Sequence, residues 1–195
     1  MTDISDRVQL HDLTILSDNH YILRKADFSW RRSDGSWQRM QREAYDRGNG
    51  AAILLYDTAR RTVVLTRQFR MPAYLSGYRQ MMIEAAAGLL DDASPEERIR
   101  KEAEEETGYT VGTVRKIFEA FMSPGSVTEI LHFFVAAYTP ASKSGTGGGI
   151  AGEGEDIAVL ELPFDEAYAM IAGGGIVDAK TIMLLQYAKL NLFQD

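Results

Sequence analysis

The polar and apolar positions along this chain fall into short alternations and β-branched runs, separated by turn signals. Residues 51–56 and 62–66 are apolar and β-branched, and the polar stretch 57–61 between them predicts a hairpin. Residues 28–30 and 36–39 flank Ser33-Asp34-Gly35, which predicts another hairpin nearer the N-terminus. Pro72 and Gly77 punctuate a loop, and residues 80–87 read as a short buried strand. Residues 111–121 and 127–138 are expected as two strands joined at Ser123-Pro124-Gly125, with a further strand at 157–162. Helices are expected at 95–107, 164–171 and 179–192. The pattern contains no internal repeat. Many strands with about three helices predict a mixed α/β fold, and the hairpins favour a mixed or antiparallel sheet.

Residues 142–155, SKSGTGGGIAGEGE, break this pattern. Six glycines and almost nothing apolar give the composition of a mobile loop or a linker. The 195 residues suit one domain, or one domain with a small appendage, and 45% apolar residues supply a core. With no cysteine, disulfides and thiolate metal sites are excluded. The opening MTDISDRVQL has no basic start and no apolar core, so it does not read as a secretory signal. No apolar run reaches the roughly 18 residues that span a bilayer. A cytoplasmic location is therefore expected. A net charge of −7 argues against nucleic-acid or membrane-surface partners, but leaves open an acidic small substrate bridged by cations.

The predicted helix 95–107 carries the most informative chemistry. Ser94 can cap it, Pro95 suits its first turn, Glu97 can complete a capping box and Gly108 can end it. Glu104, Glu105 and Glu106 then occupy the last turn, where the helix dipole disfavours anions by about 0.3–1 kcal/mol each if exposed. One account is a solvated helix laced with ion pairs, since Arg98 and Glu102, Arg100 and Glu104, and Lys101 and Glu105 are each four residues apart. The other is a cation site. Glu102, Glu105 and Glu106 share one face by spacing, and hard cations such as Mg²⁺ take oxygen ligands while keeping waters for a phosphate.

The wider segment, from Gly88 through Ser94 and Lys101-Glu102-Ala103-Glu104-Glu105-Glu106 to Gly108-Tyr109, resembles the Nudix box of the Nudix hydrolases. Ser94 stands where that motif has its first glutamate, Lys101 replaces an arginine, and the spacer before it is one residue short. Residues 45–50, Arg67-Gln68-Phe69-Arg70, Ser123-Pro124-Gly125 with Glu129, and Asp178-Ala179-Lys180 are similar to the GDP-mannose pyrophosphatase branch, close to the ADP-ribose pyrophosphatases. The resemblance implies a Nudix α/β/α sandwich with a mixed sheet. It also implies a strand and hairpin region over residues 1–47 that serves as a homodimer contact, and a Nudix domain over 48–195.

The same resemblance implies the site. The backbone carbonyl of Ala87 and the carboxylates of Glu102, Glu106 and Glu155 would hold Mg²⁺, with Mn²⁺ as a substitute. Glu105, Glu129 and Glu155 are the catalytic candidates, with Glu153 a rival to Glu155. His20, Gln41, Arg42, Glu43, Arg70, Ala87, Gly88, Glu106, Glu129, Gly154 and Lys180 match substrate positions. Arg67 reads as an exposed strand end, His132 as a core histidine, and Trp30 and Trp37 as packing residues. The implied reaction is Mg²⁺-dependent hydrolysis of a nucleotide sugar, GDP-mannose giving GMP and mannose 1-phosphate. The alternatives are the same chemistry on ADP-ribose, or a nucleotide-binding module without catalysis.

Overall fold

The computed structural model describes residues 3–91, 93–150, 152 and 154–194. The chain divides into two compact units, Met1–Gly48 with Phe121–Ile130, and Asn49–Ala120 with Leu131–Asp195.

The first unit is a three-stranded antiparallel sheet of β1 (Val8–Asp18), β2 (Ile22–Arg31) and β3 (Trp37–Asp46), in that order. The expected hairpin is present but much longer than the apolar pattern predicts, and β1 is a strand that the apolar pattern did not place within the strand and hairpin region expected over 1–47. Val8 and Leu10, then Leu13 and Ile15, alternate with polar residues, but the register shift between Leu10 and Asp12 breaks the period, and all of β1 is exposed except Ser17. The turn at Ser33-Asp34-Gly35 closes through the Arg32 amide and the Ser36 carbonyl at 2.8 Å. Residues after the Ser123-Pro124-Gly125 turn join this unit. Tyr45 pairs in parallel with Val127, its amide donating to the Ser126 carbonyl at 2.8 Å.

The second unit is built on a seven-stranded mixed sheet. Its strands are β4 (Gly50–Asp57), β5 (Thr62–Gln68), β6 (Met82–Glu84), β7 (Ala86–Leu89), β8 (Arg115–Phe121), β9 (Ile130–Ala137) and β10 (Ala158–Pro163). The order is β10-β5-β4-β9-β8, with β6 on β5 and β7 on β4. The β4–β9 pair is parallel, while β10–β5, β4–β5, β4–β7 and β5–β6 are antiparallel. The expected strand at 80–87 is two strands, because the chain leaves β5 and joins β4 at Ala85.

Both faces of β4 are buried, which is why it reads as a continuous apolar run. Ala51, Ile53 and Leu55 share a cluster with Ile99 and Ala103 of α2 (Pro95–Thr107). On the other alternation, Ala52 and Leu54 are fully buried, and α4 (Ala179–Asn191) packs on β4 through an apolar face that includes Leu184, Leu185 and Ala188. Helix α3 (Phe164–Ala172) packs on β10 and α4, and Phe164 stacks on Phe193 with ring centroids 4.2 Å apart. This is the α/β/α layering the resemblance implied. A short helix α1 (Met71–Leu75), with Pro72 in its first turn, occupies the stretch expected as a loop. Among the described residues no helix is long and apolar enough to cross a membrane.

Candidate active site

Helix α2 starts as its sequence dictates. The Ser94 hydroxyl accepts from the Glu97 amide at 3.3 Å, and the Glu97 carboxylate accepts from the Ser94 amide at 3.4 Å and its hydroxyl at 2.8 Å. The C-terminal end is finished by the glycine-rich segment. Gly108 adopts a left-handed φ of 75° and its amide donates to the Glu104 carbonyl. The next two carbonyls, of Glu105 and Glu106, accept from the amides of Gly149 and Gly148 at 3.1 and 2.9 Å. Three carbonyls that a helix end leaves unpaired are thus satisfied, two of them from residues 42 and 44 positions further along the chain. Composition alone read residues 142–155 as a free loop. Its described part is instead tied to the acidic helix end, because only glycines allow backbone to approach backbone this closely. A side chain on Gly108 would overlap the backbone of Gly145 and Gly147.

The glutamates of the last turns do not share one environment. Glu104 is exposed and accepts from Thr110 at 2.9 Å, and Glu105 is partly exposed and lies 3.3 Å from Lys101. The Arg100 guanidinium turns to the Gly112 carbonyl at 3.0 Å rather than to Glu104. Glu102 and Glu106 are buried. Arg98 pairs with Glu102 at 2.5 Å, and Glu106 accepts from the Ala87 amide at 3.3 Å. Burial first, then the charges of Glu102 and Glu155, push the Glu106 carboxyl up to about 8. The Ala87 bond and the Arg70 charge pull weakly the other way.

Strand β7 brings Ala87 and Gly88 against these two carboxylates. A side chain at Gly88 would overlap the Glu102 carboxylate, so β7 and α2 can meet this closely only at glycine. Glu155 is folded against its own loop, accepting from the Ile150 amide at 2.8 Å. Gly154 beside it has a φ of 78°. Glu153 lies outside the described residues. Ala87, Gly88, Glu102, Glu106, Glu155 and Arg70 therefore belong to one neighbourhood of the second unit. Lys180 joins it through Glu84, which ion-pairs with both Lys180 and Arg70 at 2.8 Å.

Of the remaining expected residues, His20, Gln41, Arg42, Glu43 and Glu129 belong to the first unit, and Arg67 and His132 to the second. His20 is exposed and its ring lies 4.3 Å from that of Tyr21. Gln41 donates to Asp27 at 3.2 Å, and Arg42 donates to the Gln41 carbonyl at 2.8 Å. Glu43 faces Lys25 across the β2–β3 ladder. Hydrogen bonds from Arg39 and Gln41 hold the Asp27 carboxyl down to about 2. Glu129 lies 3.7 Å from Arg47. Arg67 is exposed at the end of β5, and His132 is half-buried 3.2 Å from Glu119. Trp30 packs under the Arg7 guanidinium.

The profile of the NUDIX domain matches residues 46–185, and that of the GDP-mannose pyrophosphatase NudK N-terminal domain matches residues 7–45. The chain belongs to the Nudix family. It is 56% identical over 186 residues to the GDP-mannose pyrophosphatase of Pectobacterium atrosepticum, covering 95% of each chain. Identity to the GDP-mannose pyrophosphatase of Salmonella arizonae is 52% over 189 residues, covering 96% of this chain and 98% of the relative. For the protein of the same name from Escherichia coli K12 the identity is 53% over 182 residues, covering 93% of this chain and 94% of the relative. The chain is thus a Nudix hydrolase of the branch that carries this name.

Nudix hydrolases work with a divalent metal ion, and the residues here fit one. Two buried carboxylates four residues apart, with Glu155 raising the same potential, make a site where a proton or a cation must offset the charge. All the donors are hard oxygens, as Mg²⁺ prefers. Among the described residues no three acidic side chains already converge at ligating distance. The Arg98–Glu102 pair and the Glu155–Ile150 bond show what occupies two of those carboxylates instead.

Proposed function

We propose that this chain hydrolyses the diphosphate of a nucleotide sugar in the presence of Mg²⁺, with GDP-mannose giving GMP and mannose 1-phosphate. The observation that carries the reading is full-length similarity above 50% to proteins named for that activity, in a chain that keeps Glu102, Glu105 and Glu106. Keeping all three also speaks against a module that binds without cutting.

Glu102, Glu106, Glu155 and the Ala87 carbonyl would hold the ion. When bound, it screens the diphosphate and lowers the pKa of a water it carries. The chain's own residues do the rest. Arg70 and Lys180 would present donors to diphosphate oxygens, and Glu105 and Glu129 are the candidates to take a proton from water or to hold it in line. Glu155 sits on the glycine-rich segment next to Gly154, where a small backbone change would free it from the Ile150 amide. His20, Gln41, Arg42 and Glu43 contribute substrate contacts near a dimer seam formed by residues 1–47. The second domain then runs from 48 to 195. A homodimer, and a cytoplasmic site of action without nucleic-acid or membrane partners, complete the proposal.

The test is a substrate panel of GDP-mannose and ADP-ribose, each with Mg²⁺ or Mn²⁺, run in ¹⁸O water with products read by mass spectrometry. Preferred cleavage of GDP-mannose supports the reading. Preferred cleavage of ADP-ribose moves the specificity, and cleavage of neither removes the catalytic reading.

A further inference from the structure

Two of the substrate cations in this reading are held by one carboxylate that the sequence motifs do not include. Glu84 is the last residue of β6 and is only 4% exposed. Its Oε2 accepts from Nε of Arg70 at 2.8 Å and its Oε1 accepts from Nζ of Lys180 at 2.8 Å. Arg70 comes from the entry to α1, and Lys180 from the first turn of α4. Residues 110 apart in sequence are therefore fixed to one point.

That point is rigid. The Glu84 carbonyl accepts from the Thr66 hydroxyl at 3.2 Å, and the next amide, Ala85, donates to the Thr181 hydroxyl at 2.7 Å. Thr181 is held in turn by Asp178, the N-cap of α4, which also lies 3.0 Å from Lys180. Two cations and two carboxylates balance, so the cluster is stable without a ligand. Yet neither cation is used up. Arg70 engages Glu84 through Nε, and its two terminal nitrogens carry four more donors, while Lys180 has three donors for two carboxylate neighbours. Long, flexible side chains normally lose freedom when they grip a phosphate. Here Glu84 has already removed much of that freedom.

Resting on the reading of Arg70 and Lys180 as diphosphate-binding groups, we infer that Glu84 is a positioning residue: it holds both side chains as a preformed pair facing the substrate. Both of its carboxylate oxygens already accept from these two side chains, so in this role it acts through them rather than on the substrate itself. Its contribution is to affinity for the diphosphate, so it acts on KM more than on kcat.

The experiment is a double-mutant cycle on the full-length enzyme with GDP-mannose and saturating Mg²⁺. Glu84→Gln is expected to raise KM about 10-fold with kcat within about threefold of the parent. In an Arg70→Ala, Lys180→Ala background the same substitution is expected to change KM less than about twofold, since the groups it positions are gone. A merely structural carboxylate would give equal losses in both backgrounds, and that result, or an unchanged KM in the parent background, overturns the inference. Should Glu84→Gln not fold, Glu84→Asp takes its place in the same cycle, being one methylene short of bridging both cations. A parent enzyme that cleaves no nucleotide sugar overturns the proposed function, and this inference with it. An active parent with additive substitutions overturns this inference alone.

Discussion

The amide of Gly148 donates to the carbonyl of Glu106 across 2.9 Å, so the glycine-rich segment closes the end of the helix that carries the acidic side chains. Local geometry at that joint is demanding. Gly108 needs a left-handed φ, and its α-carbon lies where a methyl group would overlap the backbone of Gly145 and Gly147.

Gly108→Ala is therefore expected to destabilise the protein by about 2–3 kcal/mol, combining the cost of the left-handed conformation with displacement of the segment. A urea unfolding curve with an unchanged slope and a lower midpoint would check it. A loss under about 0.5 kcal/mol would mean the segment is not held there in solution.

The buried Glu106 makes a pH prediction. Its carboxyl is raised to about 8 in the folded chain, against an ordinary value of 4.5. The folded state thus binds the extra proton, and this contribution to stability is complete below about pH 4.5 and is lost as pH rises through 8. In metal-free protein the melting temperature should fall between pH 5 and pH 8 by roughly 5–10 °C. Adding Mg²⁺ at pH 8 should restore it, because the charge then has a partner. Glu106→Gln should flatten the metal-free profile, abolish the Mg²⁺ response and reduce turnover at least about 100-fold while the fold remains. Scanning fluorimetry with EDTA and with Mg²⁺ reads the four melting-temperature outcomes, and a turnover assay with GDP-mannose reads the loss of activity.

How far the sequence carried this reading follows from which signals are local. Ser94, Glu97 and Gly108 act within a few residues of themselves, so both ends of α2 were legible. The continuous apolar run of β4 announced burial on both faces. Strand β1 was not legible in the pattern, because the register shift between Leu10 and Asp12 splits its alternation into two pieces too short to stand out. The break at Ala85 was missed for another reason: what divides β6 from β7 is the Thr181 hydroxyl, 96 residues away. The acidic face of α2 was visible in spacing, but which glutamates are buried was not. Glu102 and Glu106 lie under β7, whereas Glu104 and Glu105 do not, and what separates them is the packing of Gly88 on Glu102 and of Ala87 on Glu106.

That packing supports a prediction at Gly88. Gly88→Ala places a methyl group on the Glu102 carboxylate, which must rotate away or push β7 off α2. We expect affinity for Mg²⁺ to fall about 10- to 100-fold, as when ligand-orienting groups are lost in metal sites. The activation constant for Mg²⁺ at saturating substrate measures it. An unchanged constant would place the ion away from Glu102.

The Thr181 hydroxyl does two jobs. It donates to Asp178 at 2.6 Å and accepts from the Ala85 amide at 2.7 Å, and the residue is fully buried. Thr181→Val keeps the shape and removes both bonds. The Ala85 amide, at the point where the chain changes strand partner, is left without its acceptor, and burying such a group costs about 1–3 kcal/mol. Asp178 keeps its bond from the Thr181 amide at 3.0 Å, so the α4 cap survives and the loss should stay near that range. Chemical denaturation gives the stability, and amide exchange at Ala85 tells where it is lost. Protection at Ala85 that matched the parent would mean that the threonine hydroxyl is not the acceptor that holds the β6–β7 junction.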